Sequence, residues 1–145
     1  MLTVRHILAE KGSDVYSVTP ESKVYDALRL MAEHNLGALI VLKAEKIVGM
    51  FSERDYARKI ILKGKASKET AVSDIMSKEV FTVRPAHTVE ECMSMMTDKH
   101  IRHLPVVEEE KVVGMISIGD VVKAIISDRE FTIKQLENYM TGSPQ

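Results

Sequence analysis

The 145-residue chain has no tryptophan, three phenylalanines and four tyrosines, so it offers few flat rings on which nucleic-acid bases could stack. Charge of one sign is lacking too: 20 Lys and Arg face 21 Asp and Glu, a net charge of -1, and no strong field draws in a polyanion. Nucleic acid is not an expected partner. The single cysteine, Cys92, excludes an intrachain disulfide and an all-cysteine metal site, and it fits a reducing compartment. No run nears the roughly 18 apolar residues of a membrane span. Charges also interrupt the N-terminal MLTVRHILAEKG where a signal peptide needs a continuous apolar core. No membrane is expected as a partner, and the cytoplasm is the expected location. Catalytic signatures are missing as well, with no G-x-S-x-G elbow, P-loop or G-x-G-x-x-G turn.

What is present is a duplication. At an offset of 65, VYSVTPESKV from Val15 lies over VFTVRPAHTV from Val80, and EKIVGMFSERD from Glu45 over EKVVGMISIGD from Glu110. Of the 47 positions from Val15 to Ile61, 16 are identical to their partners without a gap. The leading segments VRHIL at Val4 and VSDIM at Val72 also correspond, at an offset of 68.

Each copy reads as strand, helix, strand, strand, helix, an α/β pattern. A short strand, Val15–Val18 or Val80–Val83, stops at Pro20 or Pro85. Apolar residues at helical spacing follow, Val24, Ala27, Leu28 and Met31 or Val89, Cys92, Met93 and Met96, with Ser22 and Thr88 as expected caps. ALIVL and LPVV then read as buried strands, each joined across a charged turn (KAEK, EEEK) to a second apolar strand, IVGMF or VVGMI. A last helix follows Ser52 or Ser117. A copy of about 60 residues is marginal alone, so two copies are expected to pack sheet to sheet, residues 1–66 forming the first and 67–145 the second. GKASKET, Gly64–Thr70, reads as the linker. SDREFTIKQLENYM extends the last helix to a stop at Gly142, with Phe131, Ile133 or Leu136 expected to cover something apolar.

Both copies end their hairpin in G-x-x-S-x-x-D, from Gly49 to Asp55 and from Gly114 to Asp120, where a strand enters a helix. There a serine hydroxyl and unpaired backbone N–H groups can meet an anion, and the aspartate can accept from a vicinal diol. The same spacing also suits Ser52 and Ser117 as N-caps with the aspartates at N3, binding nothing. The motif admits both readings. Of the five histidines, His100 and His103 straddle a helix end without further ligands at metal spacing, so no metal is expected. His103 reads as a cleft residue, and His34 and His87 as solvated. Cys92, on the apolar stripe, reads as a buried inert thiol.

The duplicated unit, the G-x-x-S-x-x-D ends and the segments NLGALIVL and HIRHLPVV resemble a tandem pair of CBS (cystathionine beta-synthase) domains, and FSERDYARKIILKG and GMISIGDVVKAI resemble the small stand-alone proteins of that type. The resemblance spans nearly the whole chain and leaves no catalytic domain over. It implies two CBS units in one pseudo-twofold module, a homodimer, and adenosine-containing ligands in clefts between the sheets. Asp55 and Asp120 would hold ribose hydroxyls, and Ser52 and Ser117 would lie near the sugar-phosphate. Adenine would be bracketed by Val15, Tyr16, Ser17, Leu36, Gly37 and Ala38, or by Val80, Phe81, Thr82, Ile101, Arg102 and His103. Met50 and Met115 would add adaptable apolar contact. Arg54 and Arg58, one helical turn apart, could clamp phosphate oxygens, where the second copy has Gly119 and Lys123 but gains Arg102 and His103. Two sites of unequal affinity are expected, the Arg54 site preferring the ligand richer in phosphate. The expected function is a non-enzymatic sensor of AMP, ADP, ATP or NAD(H) that alters affinity for a regulated protein. The alternative is a dimeric scaffold whose nucleotide sites are degenerate.

Overall fold

A computed structural model describes residues 1–141. The element order is α1 (Val4–Lys11), β1 (Ser17–Val18), α2 (Val24–His34), β2 (Ala38–Lys43), β3 (Lys46–Ser52), α3 (Glu53–Tyr56), α4 (Val89–Lys99), β4 (His103–Glu108), β5 (Lys111–Ser117) and α5 (Ile118–Thr141). A π-helical turn, Ala57–Ile61, continues α3, and a 3-10 turn covers Val72–Asp74. The α/β reading holds, the first copy keeps the strand-helix-hairpin-helix order, and the second keeps helix-hairpin-helix without its first strand. The Gly142 stop lies outside the described residues.

Contacts gather these elements into two compact units. One comprises residues 15–81 with 109–111, the other 1–14, 82–108 and 112–145. Division at residue 66 follows the sequence repeat, whereas in space the leading segments change places. The unit built on the first copy is completed by the segment around Val72, and the unit built on the second copy by the chain's own N-terminus. The correspondence is residue for residue at the 68 offset. Val24 N–H, at the start of α2, donates to the Thr70 carbonyl, and Val89 N–H, at the start of α4, to Leu2. Val72 N–H donates to Ser22 and Val4 N–H to His87. Val4 and Val72 are both fully buried.

In the first-copy unit β1 runs parallel to β2, with α2 as the crossover, and β2 pairs antiparallel with β3. One face of this three-stranded sheet buries Leu39, Val41 and Phe51 against Val24, Ala27 and Met31 of α2, with Ile60, Val72 and Ile75 closing the cluster. Lys23 occupies the N-cap of α2 with no side-chain bond, because Ser22 Oγ is taken by Thr19, so the expected Ser22 cap is absent. Backbone substitutes for it. The expected linker folds back instead, the Ser67 carbonyl accepting from Tyr25 N–H beside the Thr70 bond and the Lys68 ammonium lying 4.9 Å from the centre of the Tyr25 ring. Thr88 does cap α4, its hydroxyl accepting from Glu91 N–H while the Glu91 carboxylate accepts from Thr88 N–H.

In the second-copy unit the sheet has two strands, β4 and β5. The expected strand Val80–Val83 shrinks to one bridge, Val83 with Val106. Val83 N–H donates to the Pro105 carbonyl and Val107 N–H to Val83. The next rung of a parallel ladder would need an N–H from residue 105 to the carbonyl of residue 81, and proline has none. Ile40 stands there in the first copy, and β1 pairs across it. Both hairpins turn through two residues of positive φ, Ala44 (51°) and Glu45 (65°), then Glu109 (52°) and Glu110 (65°). That geometry matches the right-handed strand twist.

The glycines at the centre of β3 and β5 are space-limited, though unequally. A Cβ on Gly49 would lie 2.6 Å from Met76 Sδ and 2.9 Å from the Ser77 carbonyl oxygen, whereas on Gly114 it would meet only the end of Leu8, at 2.7 Å. A leucine terminus can rotate away, while a carbonyl in a backbone bridge cannot. Gly49→Ala is therefore expected to cost about 2–3 kcal/mol and Gly114→Ala about 1 kcal/mol, read as the difference between their urea-unfolding free energies.

Candidate functional site

The two G-x-x-S-x-x-D ends are both capping boxes. Ser52 Oγ accepts from Asp55 N–H at 3.2 Å while Asp55 Oδ2 accepts from Ser52 N–H at 3.0 Å. In the second copy Asp120 N–H donates to Ser117 Oγ at 3.2 Å and Ser117 N–H to Asp120 Oδ2 at 2.8 Å. The first N–H of each following helix is also satisfied, Glu53 donating to the Gly37 carbonyl and Ile118 to that of Arg102. These bonds tie the strand-entry residues Gly37 and Arg102 to the helix starts.

A lysine meets each aspartate, and neither was picked out by motif. Lys59 Nζ lies 3.1 Å from Asp55 Oδ1 and donates to the Ile75 carbonyl at 2.8 Å. Lys11 Nζ lies 2.7 Å from Asp120 Oδ2 and donates to the Met115 carbonyl at 2.9 Å. Lys59 follows Asp55 by four residues, a spacing visible in the sequence. Lys11 lies 109 residues from Asp120, and only the fold unites them.

The carboxylates differ in what they leave open. Asp55 is 7% exposed, and both of its oxygens are engaged, Oδ2 by Ser52 N–H and Oγ, Oδ1 by Lys59 and Ser77 Oγ. Asp120 is half-buried, and all its bonds fall on Oδ2. Burial pushes the Asp120 carboxyl up, but the bond and charge of Lys11 and the bonds from Ser117 bring it net below the usual carboxylate range. His103, beside this group, is held below its ordinary 6.5 first by burial and then by the positive charges of Lys11 and Arg102, against the opposing pull of Asp120. A depressed histidine contributes stability that is complete above pH 6.5 and lost as the pH falls and the unfolded chain takes up the proton first. Between pH 7 and 5 the wild type is expected to lose more stability than His103→Gln, measured by urea unfolding at each pH.

Val15, Tyr16, Ser17, Leu36, Gly37, Ala38, Met50, Ser52, Arg54, Asp55 and Arg58 fall in the first-copy unit, as a single site would require. Within it, however, Tyr16 stacks on His34, centroids 4.0 Å apart, and Ala38 is buried in the ladder opposite Ser52. Arg58 belongs to the π-helical turn, so the α-helical spacing expected to align it with Arg54 is not kept. Thr82, Ile101, Arg102, His103, Met115, Ser117 and Asp120 fall in the second-copy unit, while Val80 and Phe81 go with the first. His87, expected solvated, is half-buried, and its Nδ1 accepts from Arg84 N–H at 2.8 Å. Cys92 is fully buried, and burial with the nearby Glu91 charge pushes its thiol up to about 11. Among the described residues no three His, Cys, Asp or Glu gather at metal-binding distance, and no helix is long and apolar enough to cross a membrane.

The CBS domain family model matches residues 2–62 and 72–127. The chain is 40% identical, over 97% of its length and 72% of the relative's, to the CBS domain-containing protein CBSX3, mitochondrial, of Arabidopsis thaliana. A solved protein with CBS domains from Burkholderia ambifaria MC40-6 is 47% identical with a TM-score of 0.84, covering 87% of this chain and 95% of that one. The CBS domain pair of protein MJ0100, solved in complex with 5'-methylthioadenosine and S-adenosyl-L-methionine, shares the fold at 21% identity and a TM-score of 0.78, covering 88% of this chain and 98% of the other.

Proposed function

The chain belongs to the CBS domain family, and on that premise we propose that it is a regulatory binding protein for an adenosine-containing ligand, AMP, ADP, ATP or NAD(H), which acts on a partner protein. It is not an enzyme in this reading, since its repeated Ser and Asp grip rather than react. The observation that carries the reading is the open Oδ1 of Asp120, on a carboxylate kept ionised beside His103 and the Lys11 ammonium. An ionised carboxylate oxygen that accepts from neither Lys11 nor Ser117 N–H among the described residues is an acceptor for a ribose diol. Asp55, with both oxygens spent internally, supports unequal sites with the second-copy end stronger. Arg54 remains the residue proposed to favour the ligand richer in phosphate. Self-association as a homodimer and a cytoplasmic location complete the reading, the latter resting on the lone buried thiol.

A thermal-shift panel of AMP, ADP, ATP, NAD+, NADH and S-adenosylmethionine tests it. Ligand at 100 times its Kd stabilises the native state by about 2.7 kcal/mol. That shift, measured against each variant's own unliganded Tm, should be nearly kept in Asp55→Ala and largely lost in Asp120→Ala, the remainder being the weaker first-copy end that Arg54 serves. Arg54→Ala should weaken ATP more than AMP. If no adenylate shifts the wild type, the sites are degenerate and the protein is a dimeric scaffold.

A further inference from the structure

Helix α5 carries an apolar stripe, from Val122 to Met140, that stays exposed among the described residues. Val122, Ile126, Ile133, Leu136 and Met140 recur at alternating intervals of four and three residues around Arg129, which puts them on one helix face. They are 40%, 52%, 56%, 58% and 83% exposed. Phe131 is 63% exposed on the opposite face, and of the three residues expected to cover something apolar, Ile133 borders Leu2, Val89 and Ile125 in a shared groove. From Val122 to Met140 the stripe is about 27 Å long.

The geometry points to a second copy of this chain as the occupant, its α5 running antiparallel. Set head to tail about residue 131, the stripe pairs Val122 with Met140, Ile126 with Leu136 and Arg129 with Ile133 of the partner subunit. The flanks then match themselves. On one side Lys123 meets Glu137 of the partner subunit, once at each end of the pair. On the other side lies a groove of about 400 Å³ lined by Leu2, Val89, Glu90, Ile125, Asp128, Arg129, Thr132 and Ile133. Tyr139 is 87% exposed on that same flank, and antiparallel pairing brings Tyr139 of the partner subunit beside Ile125, where its ring fills the groove. Parallel pairing does neither. It places two Arg129 side chains face to face at the seam and leaves Lys123 without its glutamate.

This face deepens the self-association in the reading above, and its test separates the two. Sedimentation equilibrium of the full chain should show a dimer. Ile133→Glu and Leu136→Glu, both at exposed positions that folding does not need, should each yield a monomer with unchanged circular dichroism. Thr132→Cys lies beside the pair's symmetry point, on the flank where the two helices meet, and should cross-link itself on mild oxidation, while Phe131→Cys on the outer face should not; the native Cys92 is buried and does not interfere. A monomeric wild type overturns both this face and the self-association. A dimer indifferent to both glutamates, or equal cross-linking at 131 and 132, overturns the face and leaves the self-association standing.

Discussion

Phe51→Ala is expected to lower the unfolding free energy by about 3–5 kcal/mol, the usual cost of emptying a phenylalanine site in a core that cannot collapse around it. Phe51 is fully buried on β3 and packs into the cluster that joins the sheet to α2, the π-helical turn and the 3-10 turn. Its contacts therefore come from both ends of the unit's sequence. Against a total stability of about 5–15 kcal/mol, the loss should move the urea midpoint far to the left. The same residue in the second copy is Ile116, also fully buried. Ile116→Val, which removes one methylene, should cost only about 1 kcal/mol, and that contrast checks that volume is what matters.

Asp55→Ala is expected to destabilise by about 2–4 kcal/mol, against about 1 kcal/mol for Asp120→Ala. Each change removes a helix cap, worth about 1 kcal/mol. At Asp55 it also strands Ser52 N–H, Ser77 Oγ and Lys59 Nζ around a buried void, and leaving such donors unpaired costs more than the bonds contributed. Asp120 is half-buried, and water can replace it around Lys11. Asp55→Ala/Lys59→Met should recover part of the loss, because the second change removes the orphaned charge. A double-mutant cycle in chemical denaturation reads that coupling directly. Equal losses at the two aspartates would mean that their burial difference has no energetic weight.

Much of this was legible before folding. The 65-residue repeat placed every hairpin and both capping boxes, since these depend on residues within four positions of each other. Lys59 could have been found by the same local rule. Lys11, Ser77 and the backbone caps supplied by Leu2 and Thr70 could not, because their partners lie across the chain. One signal did exist: the leaders align at 68 while the rest aligns at 65, a sign that they answer to a different constraint. Pro105 was visible as well, but its effect, a missing third strand, depends on which side of β4 its absent N–H faces. The sequence already distinguishes the two ligand ends, by Arg54 and Arg58 in the first copy against Arg102 and His103 in the second. The structure shows two equivalent caps with unequal carboxylates, a difference made by neighbours rather than by motif.

The exchange of leaders bears on the order in which the molecule can be made. Residues 15–81 are nearly continuous, so that unit has almost all of its parts once Phe81 has left the ribosome. The other unit includes residues 1–14, made before the first unit, yet the partners of Leu2, Leu8 and Lys11 are Val89, Gly114 and Asp120. Helix α1 must therefore wait, its apolar side carrying Val4 and Ile7 in need of shelter, until residue 120 has emerged. The unit of residues 15–81 can close early, and the one that holds α1 closes only when residues more than a hundred positions later have joined it.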